Sequence, residues 1–264
     1  MTGVADEKPC AVIPARAAFV LGLSLSRGCR EAIGLFVLLY MLPCAVLADN
    51  GHGYRREIVE LGKFDSTTMV DGVPSGWLLQ PYKGQPRLAI EKAGDRFYLR
   101  LSSAGDTAYG IKKDTLVDLR RFPFLNWTWK AVRLPRGGDI RKREADDQAL
   151  QVYLAFPADG FIGAMTSPAI AYIWDNLAPK GLMVKSPHPL LKKVRYVVMR
   201  NGMDRTGQWH VEKRNVYEDY KELIGAAGRT HVPATVEGVL LFINTHKTKS
   251  EAEGCIGDIF FSSE

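Results

Sequence analysis

Apolar and polar residues alternate with a period of two in ten short segments of the chain, the pattern of half-buried β-strands. The segments span residues 87–91, 97–102, 109–114, 124–134, 148–156, 169–174, 194–200, 208–213, 236–244 and 256–261. The first spacers are too short for the helical crossovers that parallel strands need. We therefore predict an all-β fold for residues 58–264: an antiparallel, jelly-roll-like β-sandwich forming a single domain.

One segment changes to helical spacing. Asn215 is a favourable N-cap, and Glu218 stands three residues later, in the capping-box position. Val216, Tyr220 and Leu223 then follow at the spacing of one helix face. We predict one short helix, at about residues 216–223, whose apolar side packs on the sandwich.

The alternation also separates the tryptophans from their polar neighbours. Trp127 and Trp129 share one side of a strand, and Trp209 shares one side of another with Val211. We interpret all three tryptophans as core residues. The alternative is that they form an aromatic platform for sugar rings that faces the solvent.

The start of the chain has the organisation of an export signal. Arg27 and Arg30 precede an apolar run over residues 33–42, and the segment 46–48 ends in the small residue Ala48. We predict a signal peptide over residues 1–48, cleaved after Ala48, and a flexible start at residues 49–57. The apolar run is shorter than the roughly 20 residues of a spanning helix, so we expect no transmembrane span after cleavage. The mature protein would be periplasmic or secreted.

Cysteine content and charge narrow the choice of function. Cleavage would leave Cys255 as the one cysteine, so an internal disulfide is excluded and a buried, unreactive thiol is expected.

The formal net charge is +6, but the basic residues are interspersed with acidic ones. This pattern lacks the basic stripe of a nucleic-acid-binding protein and is compatible with an anionic envelope.

A set of short motifs runs from about Phe64 to Phe261. It comprises residues 125–134 with Gly137-Gly138, Asp146-Asp147 leading into Val152-Tyr153, residues 171–174, Arg200 with Gly202, Gly207-Gln208-Trp209, residues 214–220, and Gly257-Asp258-Ile259. With these motifs the chain resembles a bacterial exported family known as domain of unknown function 3047, a resemblance that implies no established activity. Relatives tend to carry an acidic Asp-Thr-Asp type segment after the penultimate strand, where this chain has residues 244–247, Asn-Thr-His-Lys. A cation or basic ligand held by those acids would be lost here.

The sequence contains no specific catalytic motif: the nucleophile elbow, His-Glu-x-x-His, Walker and Rossmann patterns are all absent. We therefore expect a non-catalytic protein that binds a glycan or another envelope ligand. Aromatic rings and planar hydrogen-bonding groups suit sugar rings and their hydroxyls. The candidate ligand-binding residues are those predicted to face the solvent on the central strands: Lys130, Gln151, Tyr153, Tyr172, Trp174, Arg200, His210, Glu212 and Arg214.

Alternatives to this hypothesis stay open. His210, Glu212 and Tyr153 could supply acid–base groups for a polysaccharide lyase or hydrolase. The chain could also be an accessory subunit of an envelope protein complex. Arg214, Glu212 and Asp219 could instead form a structural ion-pair network between helix and sheet.

We predict no cofactor. A structural calcium ion is the alternative, with carboxylates at Asp146-Asp147 or at Asp258 as its candidate ligands.

Overall fold

The computed structural model describes residues 57–64, 69–157, 167–225 and 235–264. The predicted signal peptide and residues 49–56 of the predicted flexible start lie outside the described residues. The strands, in chain order, are β1 (Ile58–Gly62), β2 (Met69–Val70), β3 (Val73–Pro74), β4 (Leu78–Lys83), β5 (Arg87–Ala93), β6 (Arg96–Ala104), β7 (Ala108–Asp118), β8 (Phe124–Arg133), β9 (Leu150–Ala155), β10 (Ala169–Trp174), β11 (Met183–Lys185), β12 (Val194–Arg200), β13 (His210–Asn215), β14 (Thr235–Asn244) and β15 (Glu251–Ser262).

The main strands form two sheets, and β2 and β3 form a separate short hairpin. The six-stranded sheet has the order β13-β8-β15-β6-β5, and β1 pairs with the end of β15. The seven-stranded sheet has the order β11-β12-β10-β9-β14-β7-β4. Within the described residues the pairings are antiparallel except for that of β10 with β12. The prediction of an all-β sandwich is therefore confirmed.

The predicted helix is also confirmed, as α1 (Val216–Leu223). The Oδ1 atom of Asn215 accepts a hydrogen bond from the backbone N–H of Glu218 at 3.1 Å, so the N-cap forms as the sequence indicates. No helix among the described residues is long and apolar enough to cross a membrane.

Aromatic side chains fill the centre of the sandwich. Trp127 and Trp129 of β8 point from the six-stranded sheet and contact Tyr172 and Trp174 of β10, with ring centroids 5.4 and 5.6 Å apart. All four rings are fully buried. The prediction that Trp127 and Trp129 are core residues is thus confirmed, and both sheets contribute to one apolar core.

The prediction for Trp209 and Val211 is wrong. β13 pairs with β8 so that His210 lies opposite Trp129 and Glu212 lies opposite Trp127. Because opposite residues of paired strands point to the same face, this register turns His210 and Glu212 toward the interior. Trp209 and Val211 face the solvent instead, with 40% and 75% of their surfaces exposed.

A second, smaller apolar cluster lies on the outer face of the seven-stranded sheet. Ala171, Ile173 and Val198 pack there against Ile140 and Ala178, which come from the connections around the sheet. The connection between β8 and β9 and the segment between β10 and β12 thus cover one half of this outer face together. The other half, formed by β4, β7 and β14, carries the half-buried side chains of Lys112, Leu240 and Phe242 and the exposed side chain of Leu78.

Candidate functional site

The nine predicted ligand-binding residues do not share one open sheet face, so that expectation is wrong. Lys130 lies on the outer face of the six-stranded sheet, opposite Cys255 of β15. Gln151 and Tyr153 lie on the outer face of the seven-stranded sheet. The remaining six lie between the sheets or at the edge where β12 and β13 approach each other: Tyr172, Trp174, Arg200, His210, Glu212 and Arg214.

Glu212 joins the two sheets at that edge. Its Oε1 accepts hydrogen bonds from Trp129 Nε1 at 3.1 Å and from Arg200 Nε at 2.6 Å. Arg200 also pairs with Asp204 at 3.0 Å. Each charge in this buried cluster therefore has a partner, as a charge held away from water requires.

A second buried cluster attaches helix α1 to the core. Asp219 accepts hydrogen bonds from Tyr172 Oη at 2.6 Å and from Arg214 Nε at 3.0 Å, and it pairs with a second guanidinium nitrogen of Arg214. Trp174 lies edge-on to His210, with ring centroids 5.2 Å apart. These contacts support the alternative in which Arg214 and Asp219 form a structural ion pair between helix and sheet. They also place His210 and Glu212 away from Tyr153, which lies on the outer face of the other sheet.

Gln151 and Tyr153 belong to a group of neighbouring residues that we call the tyrosine face: Gln151, Tyr153, Tyr196, Phe242 and Asn244. Tyr153 Oη donates to Gln151 Oε1 at 2.6 Å, and the hydroxyls of Tyr153 and Tyr196 lie 2.9 Å apart. Since the single Tyr153 proton goes to Gln151, Tyr196 donates to Tyr153. Gln151 Nε2 then donates to Asn244 Oδ1 at 2.7 Å.

The tyrosine face forms because three strands place outward residues side by side. Tyr153 lies opposite Ala171 of β10, and Ala171 lies opposite Tyr196 of β12. On its other side Gln151 lies opposite Phe242 of β14, whose ring meets Tyr153 edge-on at 6.2 Å. The rings of Tyr153 and Phe242 are half-buried and reach solvent, and they lie next to the uncovered half of the sheet.

Asp146 lies beside the tyrosine face, because its backbone carbonyl accepts a hydrogen bond from Asn244 Nδ2 at 2.6 Å. Burial raises the pKa of its carboxyl to about 7, and the carboxylates of Asp147 and Asp175 add to this effect. The pKa values of Tyr153 and Tyr196 are raised mainly by burial and also by the charge of Asp146. Near neutral pH this carboxyl can therefore hold a proton and donate a hydrogen bond.

The neighbouring carboxylates of Asp147 and Asp175 accept hydrogen bonds from backbone N–H groups. Asp147 accepts from Lys247 N at 3.0 Å, and Asp175 accepts from the N–H groups of Ile140 and Ala178 at 2.9 and 2.7 Å. In the part of the chain that the structure describes, no group of three or more acidic, histidine or cysteine side chains is arranged to hold a metal ion. The absence of a cofactor stays a prediction, with a calcium ion at Asp146-Asp147 or Asp258 as its alternative.

Sequence reasoning missed Tyr196, Phe242 and Asn244. Their segments were predicted as strands, and the alternation already separated Tyr196 from Val197 and Phe242 from Leu241. Strand order was the missing information, because residues far apart in sequence become neighbours only when β9 lies between β10 and β14.

Comparison with known proteins assigns the chain to a family. The family described as "Protein of unknown function (DUF3047)" matches residues 75–260. The chain belongs to this family. No curated protein matches it.

Several solved structures resemble this DUF3047 member in architecture. The family 11 carbohydrate-binding module of the cellulase Lic26A-Cel5E of Clostridium thermocellum is 10% identical, with a TM-score of 0.41, over 78% of this chain and 94% of that chain. A Cel12A cellulase variant of Rhodothermus marinus is 11% identical, with a TM-score of 0.42, over 78% and 100%. A loop-swap mutant of Xyn11A of Necallimastix patriciarum is 12% identical, with a TM-score of 0.38, over 80% and 97%. Similarity at this level concerns the architecture of the sandwich alone.

Proposed function

We propose that this DUF3047 member is an exported, non-catalytic protein that binds a glycan of the cell envelope on its tyrosine face. The observation that carries the proposal is the hydrogen-bonded series from Tyr196 through Tyr153 and Gln151 to Asn244, beside the half-buried ring of Phe242. The export signal predicted from the sequence supports the proposed location.

The chemistry of this face suits a sugar. In the tyrosine face the accessible surface belongs to the rings of Tyr153 and Phe242, and such rings pack against the C–H faces of pyranose rings. Gln151, Tyr196 and Asn244 are at most 4% exposed, so their hydrogen bonds hold the rings in position. The network also fixes Tyr153 and Gln151 before a ligand arrives, which lowers the entropy lost on binding.

A polysaccharide panel tests this proposal. Purified residues 49–264 should bind at least one neutral or acidic glycan, and Tyr153→Phe and Phe242→Ala should weaken that binding by about tenfold, which corresponds to about 1.4 kcal/mol. Met203→Ala is the matched control, because Met203 is 93% exposed and lies on the connection between β12 and β13. The proposal fails if no glycan is retained, or if both tyrosine-face variants bind as the wild type does.

A second candidate function is a polysaccharide lyase or hydrolase. One observation favours it: a carboxyl whose pKa is raised to about 7 lies beside two tyrosine hydroxyls, and a general acid works best when its pKa is near the ambient pH. In this hypothesis Asp146 is the acid–base group, a role for which the sequence suggested His210.

The enzymatic alternative is tested with uronate polymers and neutral polysaccharides. Cleavage should produce new reducing ends or the absorbance of unsaturated products, and Asp146→Asn should abolish it while binding persists. Activity that survives Asp146→Asn, or a bound glycan that is never cleaved, would rule out this role.

A further inference from the structure

The outer face of the six-stranded sheet carries three side chains that we call the tryptophan platform: Tyr98, Lys130 and Trp209. The rings of Tyr98 and Trp209 meet edge-on, with centroids 5.4 Å apart and planes at 72°. Lys130 Nζ lies over both rings, 5.4 Å from the Tyr98 centroid and 5.0 Å from the Trp209 centroid. This platform lies on the other sheet from the tyrosine face and shares no residue with it.

Two glycines of the family motifs build this platform. Gly207 has a φ of 78°, in the left-handed region that favours glycine, and its N–H donates to the carbonyl of Ala131 at 2.8 Å. This turn brings Trp209 onto the sheet. Gly257 lies under the indole of Trp209, and a Cβ there would come within 2.3 Å of Thr128 Oγ1, so the close packing of the sheet at this point requires glycine.

Trp209 differs from the other tryptophans in exposure. It is 40% exposed, whereas Trp77, Trp127, Trp129 and Trp174 are at most 4% exposed. A large aromatic side chain held in a fixed position and open to solvent is a feature of ligand-binding surfaces.

The ammonium group of Lys130 has no ion-pair partner among the described residues. Its neighbour Arg100 differs, because it pairs with Glu91 at 2.7 Å and Glu253 at 2.9 Å. The ring faces attract the Lys130 ammonium, but they do not neutralise it. The charge of Lys130 contributes to the lowered pKa of Glu91, but the two groups form no ion pair. An apolar surface docked here would therefore bury a charge without an ion-pair partner, whereas an anionic group would pair with it.

A cleft of about 470 Å³ borders the platform, and Glu91 and Arg100 line it. Glu91 also accepts a hydrogen bond from the hydroxyl of Tyr98 at 2.9 Å, which joins the cleft to the platform. Carboxylate and guanidinium groups at its wall can exchange hydrogen bonds with the hydroxyls of further sugar units.

We propose that the tryptophan platform is a second glycan site, specific for anionic sugars of the uronate class. The pyranose ring packs on the exposed part of the Trp209 indole that Lys130 leaves open, its carboxylate pairs with Lys130, and the next sugar units extend toward Glu91 and Arg100. This site stands independently of the tyrosine face, since it uses the opposite sheet and requires a negative charge on the ligand.

Tryptophan fluorescence tests the proposal directly, because Trp209 is the exposed tryptophan of the chain. Purified residues 49–264 are titrated with tetragalacturonate and, separately, with the neutral maltotetraose. The acidic tetrasaccharide should give a saturable change in emission that weakens as salt is added, and the neutral one should give none. Trp209→Ala should remove the change, and Lys130→Met should weaken binding on the order of tenfold.

Controls separate this site from the tyrosine face and from misfolding. Met203→Ala should bind tetragalacturonate as the wild type does. Because Trp209→Ala leaves the tyrosine face intact, a tetragalacturonate response that it abolishes belongs to the platform alone, and the two proposed sites can fail independently. Lys130→Met keeps the length of a half-buried side chain and should keep the wild-type Tm, which covers the case in which Trp209→Ala fails to fold. Equal binding by Lys130→Met, equal binding of maltotetraose, or no response to tetragalacturonate would overturn the proposal. Self-association that Trp209→Ala abolishes would overturn it as well, in favour of a protein interface.

Discussion

At the scale of single residues, the stability of this sandwich depends on buried carboxylates that have exact partners. Asp219 is 4% exposed and accepts hydrogen bonds from Tyr172 and Arg214. Removing one partner of such a cluster leaves the others desolvated and unpaired, which costs more than the contact itself contributes.

We therefore expect Asp219→Ala to lower the free energy of unfolding by about 3–5 kcal/mol. The neighbouring Glu218→Ala is the matched control, because Glu218 is exposed and pairs only with Lys221 within the described chain. It should change stability by at most about 0.5 kcal/mol. Urea denaturation measures both, and equal effects of the two variants would contradict the structural role of Asp219.

The raised pKa of Asp146 determines how the stability of the fold changes with pH. Burial raises its pKa to about 7, so the folded protein still holds this proton in a range where the unfolded chain has released it. Stability from this group is present below the unfolded pKa of about 4 and is lost as the pH rises toward 7. Asp146→Asn should remove that loss.

Relative to the wild type, Asp146→Asn should gain about 1–3 kcal/mol between pH 4.5 and pH 8, because the carboxyl is only partly shielded from solvent. Urea denaturation across this range provides the measurement. Asp106→Asn is the control: Lys249 and Lys83 lower the pKa of Asp106 to about 2, so its titration falls below the range. A pH-independent difference between Asp146→Asn and the wild type would refute the prediction.

At the scale of elements, the connection of β13 to α1 has no spare residue. Asn215 is the last residue of the strand and also the N-cap of the helix. The helix therefore starts at a position that the pairing of β13 with β8 fixes.

Loss of the Asn215 N-cap should lower the stability of the protein by a measurable amount. We expect Asn215→Ala to destabilise the protein by about 1 kcal/mol, because the N–H of Glu218 loses its acceptor, and Asn215→Asp to retain most of the stability. Thermal unfolding followed by circular dichroism distinguishes them. Identical Tm values for the two variants would show that the cap does not contribute.

At the scale of the whole molecule, the two sheets approach so closely that one methyl group matters. A Cβ at Gly254 of β15 would lie 2.3 Å from Cγ of Leu150 in β9, on the opposite sheet. Both residues lie in the buried interior, where protein packing leaves little space for rearrangement.

We expect Gly254→Ala to destabilise the sandwich by about 1–3 kcal/mol through overpacking. Gly238→Ala is the matched control, since a Cβ there meets its nearest atom at an ordinary 3.7 Å. Chemical denaturation of both should show the cost at Gly254 alone. If Gly254→Ala leaves the unfolding midpoint unchanged, the close approach of the sheets is wrong.

Local patterns in the sequence determined most of the elements. All ten predicted segments form strands, α1 has the predicted bounds, and Cys255 is buried, with its pKa raised to about 11 by that burial. These features follow from alternation, capping and composition within a few residues. Short strands such as β4 and β11, which lie at the sheet edges, have no strong alternation and were missed.

Tertiary structure alone decided which face of a strand is buried and which strands become neighbours. The alternation in β13 separates Trp209 and Val211 from His210 and Glu212, but only the pairing of β13 with β8 shows that the polar pair points inward. The tyrosine face similarly requires β9 between β10 and β14, and the tryptophan platform requires β6, β8 and the start of β13 on one sheet. The physical reason is that alternation is a local property of the chain, whereas strand order and register are set by contacts between residues distant in sequence.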